Sequence, residues 1–511
     1  MTNGQALAGV RVLECAGGVA GAYCGKLFAD MGAYVARPAA EGGDALAAQP
    51  LALEAPQTAG LLHRYLNAGK AQASPEGPWD IVILGEDTDR SLCLPEPRIA
   101  TLDISWFGHD GPYAEWAGSD LVVQALSGMS HPCGPVEGPP TFLGEHQATM
   151  VGGVAAFCAG VAALIGGRQP AGPAVLDVSI FEAVIIMSEL QMANAVALAM
   201  PIPRLGVNRY LPTCPLSIHR CREGWIGITP LTPAQWQSFC DMLGLADFRD
   251  DPDLLPARTR YPHADRIEPE FDRVFPTKTA MEWAALGRAH KVPMVIVPDA
   301  QGILDHPIFQ ARQSLARFSA EGRTYRVPRT PLRLERTPPR LDLDSPPSSE
   351  ASAPLPAAGD PFAPLAGIRV ADFSMGWAGP LATRMLADLG AEVIKIEAGR
   401  YPDWWRSVDW SPEAIARGQY EESHHFSFIN RGKQSLSLDL THPDGLPLAK
   451  QLVAESQVVV ENQAAGVMPR LGLGHDALSA GRDDLIMLSM SAFGSGNAWS
   501  DTRAYGSVLE Q

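Results

Sequence analysis

Cysteine is absent from the second half of this chain. All eight cysteines fall within the first 240 residues, none in a CxxC pair or at a zinc-ligand spacing. They read as scattered reduced thiols, not as a disulfide framework or a metal knuckle. Basic residues are also short: 40 Lys and Arg stand against 57 Asp and Glu, a net charge of −17. That balance argues against nucleic acid as a partner, and it confines any anionic ligand to places where cations gather locally. No apolar run reads as long enough to cross a bilayer, so no membrane partner is expected. The opening MTNGQALAG lacks the basic and apolar regions of a signal peptide, which makes the cytoplasm the expected location. GxGxxG and P-loop signatures are missing, as are metallohydrolase motifs, and no metal is expected.

What is present is a repeat. LAGVRVLECAGGVAGAYCGKLFADMGAYV (7–35) returns as LAGIRVADFSMGWAGPLATRMLADLGAEV (365–393), without a gap and with close to half of the positions identical. Each copy reads as a short strand, a glycine-containing loop, a helix ending at glycine and a second strand. That is the βαβ opening of a doubly wound sheet, with its loop where such folds bind ligands. The copies stay in step afterwards: LNAGK (66–70) answers INRGK (429–433), DIVIL (80–84) answers QVVVEN (457–462), and ISWFG (104–108) answers MSAFG (490–494). The expected fold class is α/β, with doubly wound Rossmann-like domains in tandem. A first large domain would span 1–220, a smaller α+β domain 221–330, a Pro/Ser/Ala-rich linker 331–364 and a second copy 365–511. The second copy stops at Gln511, well short of the length of the first, so the chain reads as a fragment of a longer one.

The run YAEWAGSDLVVQALSG (113–128) carries one carboxylate, Asp120, just after Gly118 and Ser119. Asp is a strong N-cap residue, and Leu121, Val122 and Leu126 would then form the buried face of a helix. A carboxylate at the edge of a core can equally serve as a nucleophile or base. The residues alone leave both uses open.

Several blocks carry a wider likeness: LAGIRVADFSMGWAGPLATRMLADLGAEVIKIE, NRGKQSLSLDLTHPDG, VVVENQAAGVMPRLGLGHDAL, FGHDGPYAEWAGSDLVVQALSG, LDVSIFEA and TKTAMEWAALGRAHKVPMVIV. In these the chain resembles the family III CoA-transferases of the CaiB/BaiF type, the group of formyl-CoA transferase, and its two copies look like the fused members. The resemblance implies an enzyme that moves CoA between an acyl-CoA and a free carboxylic acid, with coenzyme A as substrate. It implies Asp120 as the nucleophile, through an aspartyl anhydride and an aspartyl-CoA thioester. It also implies interlocked partners, so that the two copies would pack as a pseudo-dimer, with further homo-oligomers open. For CoA it points to Asn462, Arg470, Trp377 and Ala378 in the second copy, and to Val19 and Ala20 at the matching loop of the first. Phosphates ask for cations and a helix N-terminus, and Lys395, Arg400, Arg431, Lys433 and Arg470 make the second copy the better supplied. Gly118 and Gly144 would let backbone N–H groups approach an oxyanion.

The copies depart from the pattern in opposite ways. The first reads YVARPAAEGG where the second has a strand ending in KIE, and it lacks the ENxxxGxxxRLG segment. Arg37 and Lys70 are therefore expected to matter less for CoA. In the second copy Gly506 or Ser507 stands opposite Asp120, with Glu510 on another turn, so no nucleophile is expected there. Two rival readings follow. One is a catalytically silent CoA-binding or structural paralogue. The other is a 2-methylacyl-CoA racemase, which would want His where Ser119 stands and Asp near Glu145 and His146. His424 and His425 read as too isolated to form a site.

Overall fold

The computed structural model describes residues 4–39, 44–51, 54–88, 94–199, 203–211, 213–320, 322–349, 359–406 and 411–505. Two compact units divide the chain. One comprises Met1–Cys133, Pro140–Met192 and Gln313–Leu365, the other Gly134–Pro139, Ala193–Arg312 and Ala366–Gln511.

In the first unit the opening repeat makes β1 (Arg11–Glu14), α1 (Val19–Asp30) and β2 (Tyr34–Arg37), as the βαβ pattern predicts. With β3 (Ala71–Gln72), β4 (Ile81–Leu84), β5 (Ala100–Ser105) and β6 (Ala174–Ser179) they form a parallel sheet in the order β3-β2-β1-β4-β5-β6. α2 (Asp120–Leu126) and α3 (Gln147–Gly166) lie between β5 and β6 in the chain. α3 packs along α1, and small residues make this close approach possible. A Cβ added at Gly153 would lie 2.7 Å from the Ala20 carbonyl, and one at Gly160 would lie 2.8 Å from the Phe28 ring. The buried cluster between them joins Ala20, Cys24 and Phe28 to Ala156, Leu102 and Ile180.

α3 corrects one expectation. Within its 20 residues an 18-residue window has a mean hydropathy of 2.1, so one stretch does reach bilayer length, contrary to the sequence reading. Glycine and alanine spread its apolar character along a helix face that α1 covers, which a search for bulky residues overlooks.

The second unit repeats the topology. β7 (Arg369–Asp372), β8 (Glu392–Glu397), β9 (Gln434–Ser437), β10 (Val458–Glu461) and β11 (Ile486–Ser489) form a parallel sheet in the order β9-β8-β7-β10-β11. α4 (Ala378–Asp388) follows β7, and α5 (Gly445–Ala454) follows β9. α6 (Val467–Arg470) and α7 (His475–Leu478) fill the segment between β10 and β11. Ala449 and Val453 of α5 and Met468 of α6 are buried with Ala371, Ile396 and Val459 of the sheet. The same unit holds a three-stranded antiparallel sheet (Ser217–Arg220, Trp225–Ile228, Met294–Val297) around Trp236, Phe239, Phe271 and Trp283. Capping boxes at Thr232/Gln235 and Thr279/Glu282 start two of its helices, the first with Pro233 as its first helical residue.

Domain boundaries therefore differ from the sequence reading. The 221–330 region splits at Arg312, and the following hairpin (Leu315–Ala320 with Arg323–Pro328) belongs to the first unit. Part of the stretch read as a linker is packed as well. Leu343 is buried with Ala316, Phe318 and Ala68, and the Arg340 N–H donates to the Asp30 carbonyl at 2.9 Å. Apolar residues spaced between the prolines anchor it, against the composition of the whole.

Candidate active site

Asp120 is the first residue of α2, but it does not cap that helix. Ser119 does, accepting the Val122 N–H at 3.4 Å. The expected buried face is also turned. Leu121, Val122 and Leu126 are exposed, Leu121 by 55%, while Val123 and Gln124 are buried. The carboxylate of Asp120 instead reaches the N-terminus of α3. Its Oδ1 accepts the Ala148 N–H at 2.8 Å and the Gln124 Nε2–H at 3.1 Å. Its Oδ2 accepts the Thr149 N–H at 3.2 Å and the Thr149 hydroxyl at 2.8 Å. His146 enters α3 in the left-handed region, at φ 67°, and has no capping hydrogen bond of its own. Asp120 thus supplies from another helix the acceptor that the start of α3 lacks. Cap and reactive carboxylate are compatible, because only one turn of α3 is involved and Asp120 remains partly exposed.

Two glycines singled out for oxyanion approach have other uses. A Cβ at Gly118 would lie 2.3 Å from the Trp106 ring, so this glycine is needed for packing. Gly144 turns at φ +97°, and its carbonyl accepts from Gln124 Nε2 at 3.0 Å.

Val19 and Ala20 begin α1 behind Gly18, which offers no side-chain cap. They lie in the same unit as Asp120, and the first turns of α3 pack on them: Met150 touches the Val19 cluster, and Gly153 abuts the Ala20 carbonyl. The loop before them already holds an anion. Asp87 Oδ1 accepts the Gly17 N–H at 3.0 Å. Beneath it, Glu14 is buried between Lys70 at 2.7 Å and Arg37 at 3.0 Å, and burial pushes the Lys70 ammonium down to about 8.

Trp377, Ala378, Asn462 and Arg470 all lie in the other unit. Trp377 precedes α4 without a side-chain cap, and its ring meets those of Trp405 and Phe428 at 6.2 and 6.3 Å. Asn462 holds the loop before α4 from both sides, accepting the Met375 N–H at 2.8 Å and donating to its carbonyl at 2.7 Å. Arg470 ends α6, exposed to solvent. The other cations are less available than the sequence suggests. Lys395 is buried against Asp403 at 3.1 Å and the Ser374 carbonyl at 2.8 Å. Lys433 is buried against Asp372 at 3.1 Å, and burial lowers it to about 8. Burial alone would raise Asp372, but Lys433, Lys395 and two hydroxyl donors outweigh it and hold this carboxyl below its usual range. Arg431 pairs with Asp388 at 2.7 Å, and Arg400 is exposed. The sequence shows where cations stand along the chain, not that Lys395 and Lys433 pair with Asp403 and Asp372. Gly506, Ser507 and Glu510 lie outside the described residues.

Two constellations escape sequence reading. Ser217 Oγ lies 2.8 Å from His219 Nε2, and His219 Nδ1 lies 2.9 Å from Asp272 Oδ1. The spacing is that of a hydrolytic triad, but access is inverted: Ser217 is 2% exposed, whereas the Asp272 side chain is 71% exposed. A working triad needs its nucleophile open and its acid buried, so this one holds a core together. The alternation of Ser and His along one strand was the available signal. His424 and His425, read as isolated, both reach Asn194 Oδ1 through Nε2, at 2.7 and 2.6 Å. Among the described residues no three His, Cys, Asp or Glu side chains converge as a metal site would require.

The sequence profile of CoA-transferase family III matches residues 7–74, 88–351 and 365–511. A Mycobacterium tuberculosis protein named "Probable CoA-transferase Rv1866" is 28% identical over 429 residues, 81% of this chain and 52% of that protein. Succinate–glutarate CoA-transferase of Agrobacterium fabrum is 35% identical over 149 residues, 29% of this chain and 37% of its own. The chain thus spans about half, or less, of the length of these relatives. A solved CaiB/BaiF family protein from Brucella suis shares the fold at a TM-score of 0.57 and 21% identity, over 68% of this chain and 97% of that one. These matches extend across both units, and the chain belongs to CoA-transferase family III.

Proposed function

We propose that the chain carries out CoA transfer between an acyl-CoA and a free carboxylic acid, with Asp120 as the covalent nucleophile. The observation that carries this reading is the placement of Asp120: a carboxylate, partly exposed, aimed by four hydrogen bonds at the start of α3. Attack by a carboxylate conserves the energy of a thioester, because the mixed anhydride and the enzyme thioester that follow are both activated acyl groups. The racemase reading has no support in the geometry. Ser119 caps α2 where a histidine would be wanted, and His146 serves as the left-handed entry to α3.

For CoA we favour the second copy. Its loop before α4 is pinned by Asn462, and Trp377, Ala378 and the exposed Arg470 belong to the same unit. Both loops carry a carboxylate, Asp87 on the Gly17 N–H of the first and Asp403 on the Gly376 N–H of the second, but Asp403 is paired with the buried Lys395 at 3.1 Å. We read the shared strand order of the two sheets as a tandem duplication. Relatives named for succinate and glutarate suggest dicarboxylates as first candidates for the acid. Incubation with succinyl-CoA, trapping with borohydride and peptide mapping tests the reading. Modification should fall within residues 117–129, and trapping elsewhere, or none across a panel of acyl-CoAs, would refute it.

A further inference from the structure

Asp120 holds its two oxygens unequally, and on the transferase reading this decides which of them reacts. Oδ1 receives the Ala148 N–H and the Gln124 amide, at 2.8 and 3.1 Å. Neither donor can turn away. Ala148 belongs to the first turn of α3, and Gln124 is fully buried, donating to the Gly144 carbonyl at 3.0 Å and accepting the Leu143 N–H at 3.2 Å. Those partners also fix which end of the Gln124 amide is nitrogen. Oδ2 is held more loosely, by the Thr149 N–H at 3.2 Å and the Thr149 hydroxyl at 2.8 Å. That hydroxyl has one proton and a second acceptor in reach, the His146 carbonyl at 3.2 Å. Swinging the proton to His146 leaves Oδ2 with the long Thr149 N–H bond alone and leaves α3 intact.

We infer that Asp120 attacks through Oδ2 and keeps Oδ1, and that the Ala148 N–H and the Gln124 amide form an oxyanion hole for the enzyme's own carboxyl. In the first step Oδ2 bonds to the acyl carbon while the carbon–sulfur bond breaks, and the electron pair leaves on the CoA sulfur. The thiolate then adds to Cγ of Asp120, and negative charge gathers on Oδ1 between its two donors. Collapse breaks the Cγ–Oδ2 bond and releases the acyl group as a carboxylate that takes Oδ2 with it. An aspartyl-CoA thioester remains, with Oδ1 as its carbonyl oxygen. The incoming acid reverses these steps and returns an oxygen at the Oδ2 position. Donors at 2.8 and 3.1 Å lie where an oxyanion needs them, and they are in place before charge develops. Gln124 and Thr149 therefore have opposite duties on one carboxylate: the first stabilises charge, the second guards the attacking atom.

The test compares three variants by the rate at which succinyl-CoA forms the hydroxylamine-sensitive adduct, followed by intact mass. Gln124→Met should slow adduct formation by about 100-fold or more, the usual loss for one oxyanion donor. Thr149→Val should slow it by less than about 10-fold, well short of the Gln124→Met loss, because the Thr149 N–H still holds Oδ2 while the atom the hydroxyl releases is the one that attacks. Gln124→Glu should recover activity as the pH falls and its carboxyl gains a proton to donate, a trend that a purely structural role for Gln124 would not produce. A large loss in Thr149→Val with little loss in Gln124→Met would reverse the assignment of the oxygens. Small losses in both, or a Gln124→Glu profile parallel to the wild type, would also overturn it. An adduct on the wild type with either pattern leaves the transferase reading standing. No adduct on the wild type refutes that reading and the oxygen assignment together.

Discussion

The two parallel sheets share a strand order but differ in what covers them. In the second, the 20 residues between β9 and β10 contain α5, and α6 and α7 follow β10, so that Ala449, Val453, Met468 and Leu473 bury one face of the sheet. In the first, only eight residues join β3 to β4, and no helix separates β4 from β5 among the described residues. One indole takes the place of a helical layer. Trp79 is buried with Leu13, Ala36, Val82 and Leu84, its Nε1–H bonded to the Pro75 carbonyl at 2.7 Å, with the Arg11 guanidinium 4.8 Å above its ring. Beyond that plug the face is thin, and Val175 of β6 is 73% exposed. The stripped sheet nevertheless keeps the long helix that Asp120 caps. A thin cover on one face of a doubly wound sheet and the placement of the Asp120 carboxylate are independent, because α3 packs on the other face through α1.

The largest effect that would sharpen this contrast is removal of Asp120. Asp120→Ala should lose at least about 4 kcal/mol of transition-state stabilisation, a rate loss of roughly 1000-fold, measured as acyl-CoA consumption. Full activity in that variant would move the chemistry out of the first copy. Next comes the pair of buried lysines that occupy matching places. Lys433→Met leaves Asp372 buried and without its close partner, which should cost about 3 kcal/mol in urea unfolding. Lys70→Met should cost less, because Glu14 keeps Arg37 at 3.0 Å. Equal losses would mean that the second cation in the first copy adds nothing.

Much of this was legible in the sequence. The repeat announced two βαβ openings because a short apolar strand, a glycine loop and a small-residue helix have one economical packing. Asp120 was legible only through the company of its block, since composition cannot tell a cap from a nucleophile. Its true contacts were hidden: the helix it caps begins 27 residues later, and the buried partner is Gln124, a polar residue that periodicity assigns to solvent. Lys395 and Lys433 misled for a related reason. Lys433 stands six residues from the nearest carboxylate in the chain, yet parallel pairing sets β7 between β8 and β10 and brings Asp372 beside it, while Lys395 pairs with Asp403 beyond the end of its strand. Domain boundaries failed where a composition rule met a few apolar anchors, at Leu343 above all.

A smaller effect bears on CoA itself. Arg470→Ala should weaken CoA binding by about 1.5–3 kcal/mol, the range for a hydrogen bond to a charged group, as read by calorimetry. Arg37→Ala should leave affinity nearly unchanged, because its guanidinium is engaged by Glu14 at 3.0 Å and Asp44 at 2.7 Å. The reverse result would place the nucleotide in the copy that carries Asp120.

The smallest expected effect is the response of the second unit's buried imidazoles to acid. Burial, with the neighbouring His424 adding to it, lowers the His425 imidazole from 6.5 to about 4. Between these values the unfolded chain binds a proton that the folded chain refuses, so stability present above pH 6.5 drains away as the pH falls towards 4. His219 acts in the same direction, since burial lowers it more than Asp272 raises it. Both imidazoles lie in the second unit. His425→Phe removes one of these protons, at the expense of its bond to Asn194. Melting the wild type and this variant at pH 7.5 and pH 5 should show a loss on acidification that is smaller in the variant. The difference should be about 1 kcal/mol, below the full linkage value because the ring is only half-buried. Identical losses in the two proteins would mean that His425 takes up its proton without strain, and that the Asn194 clamp holds a charged ring as readily as a neutral one.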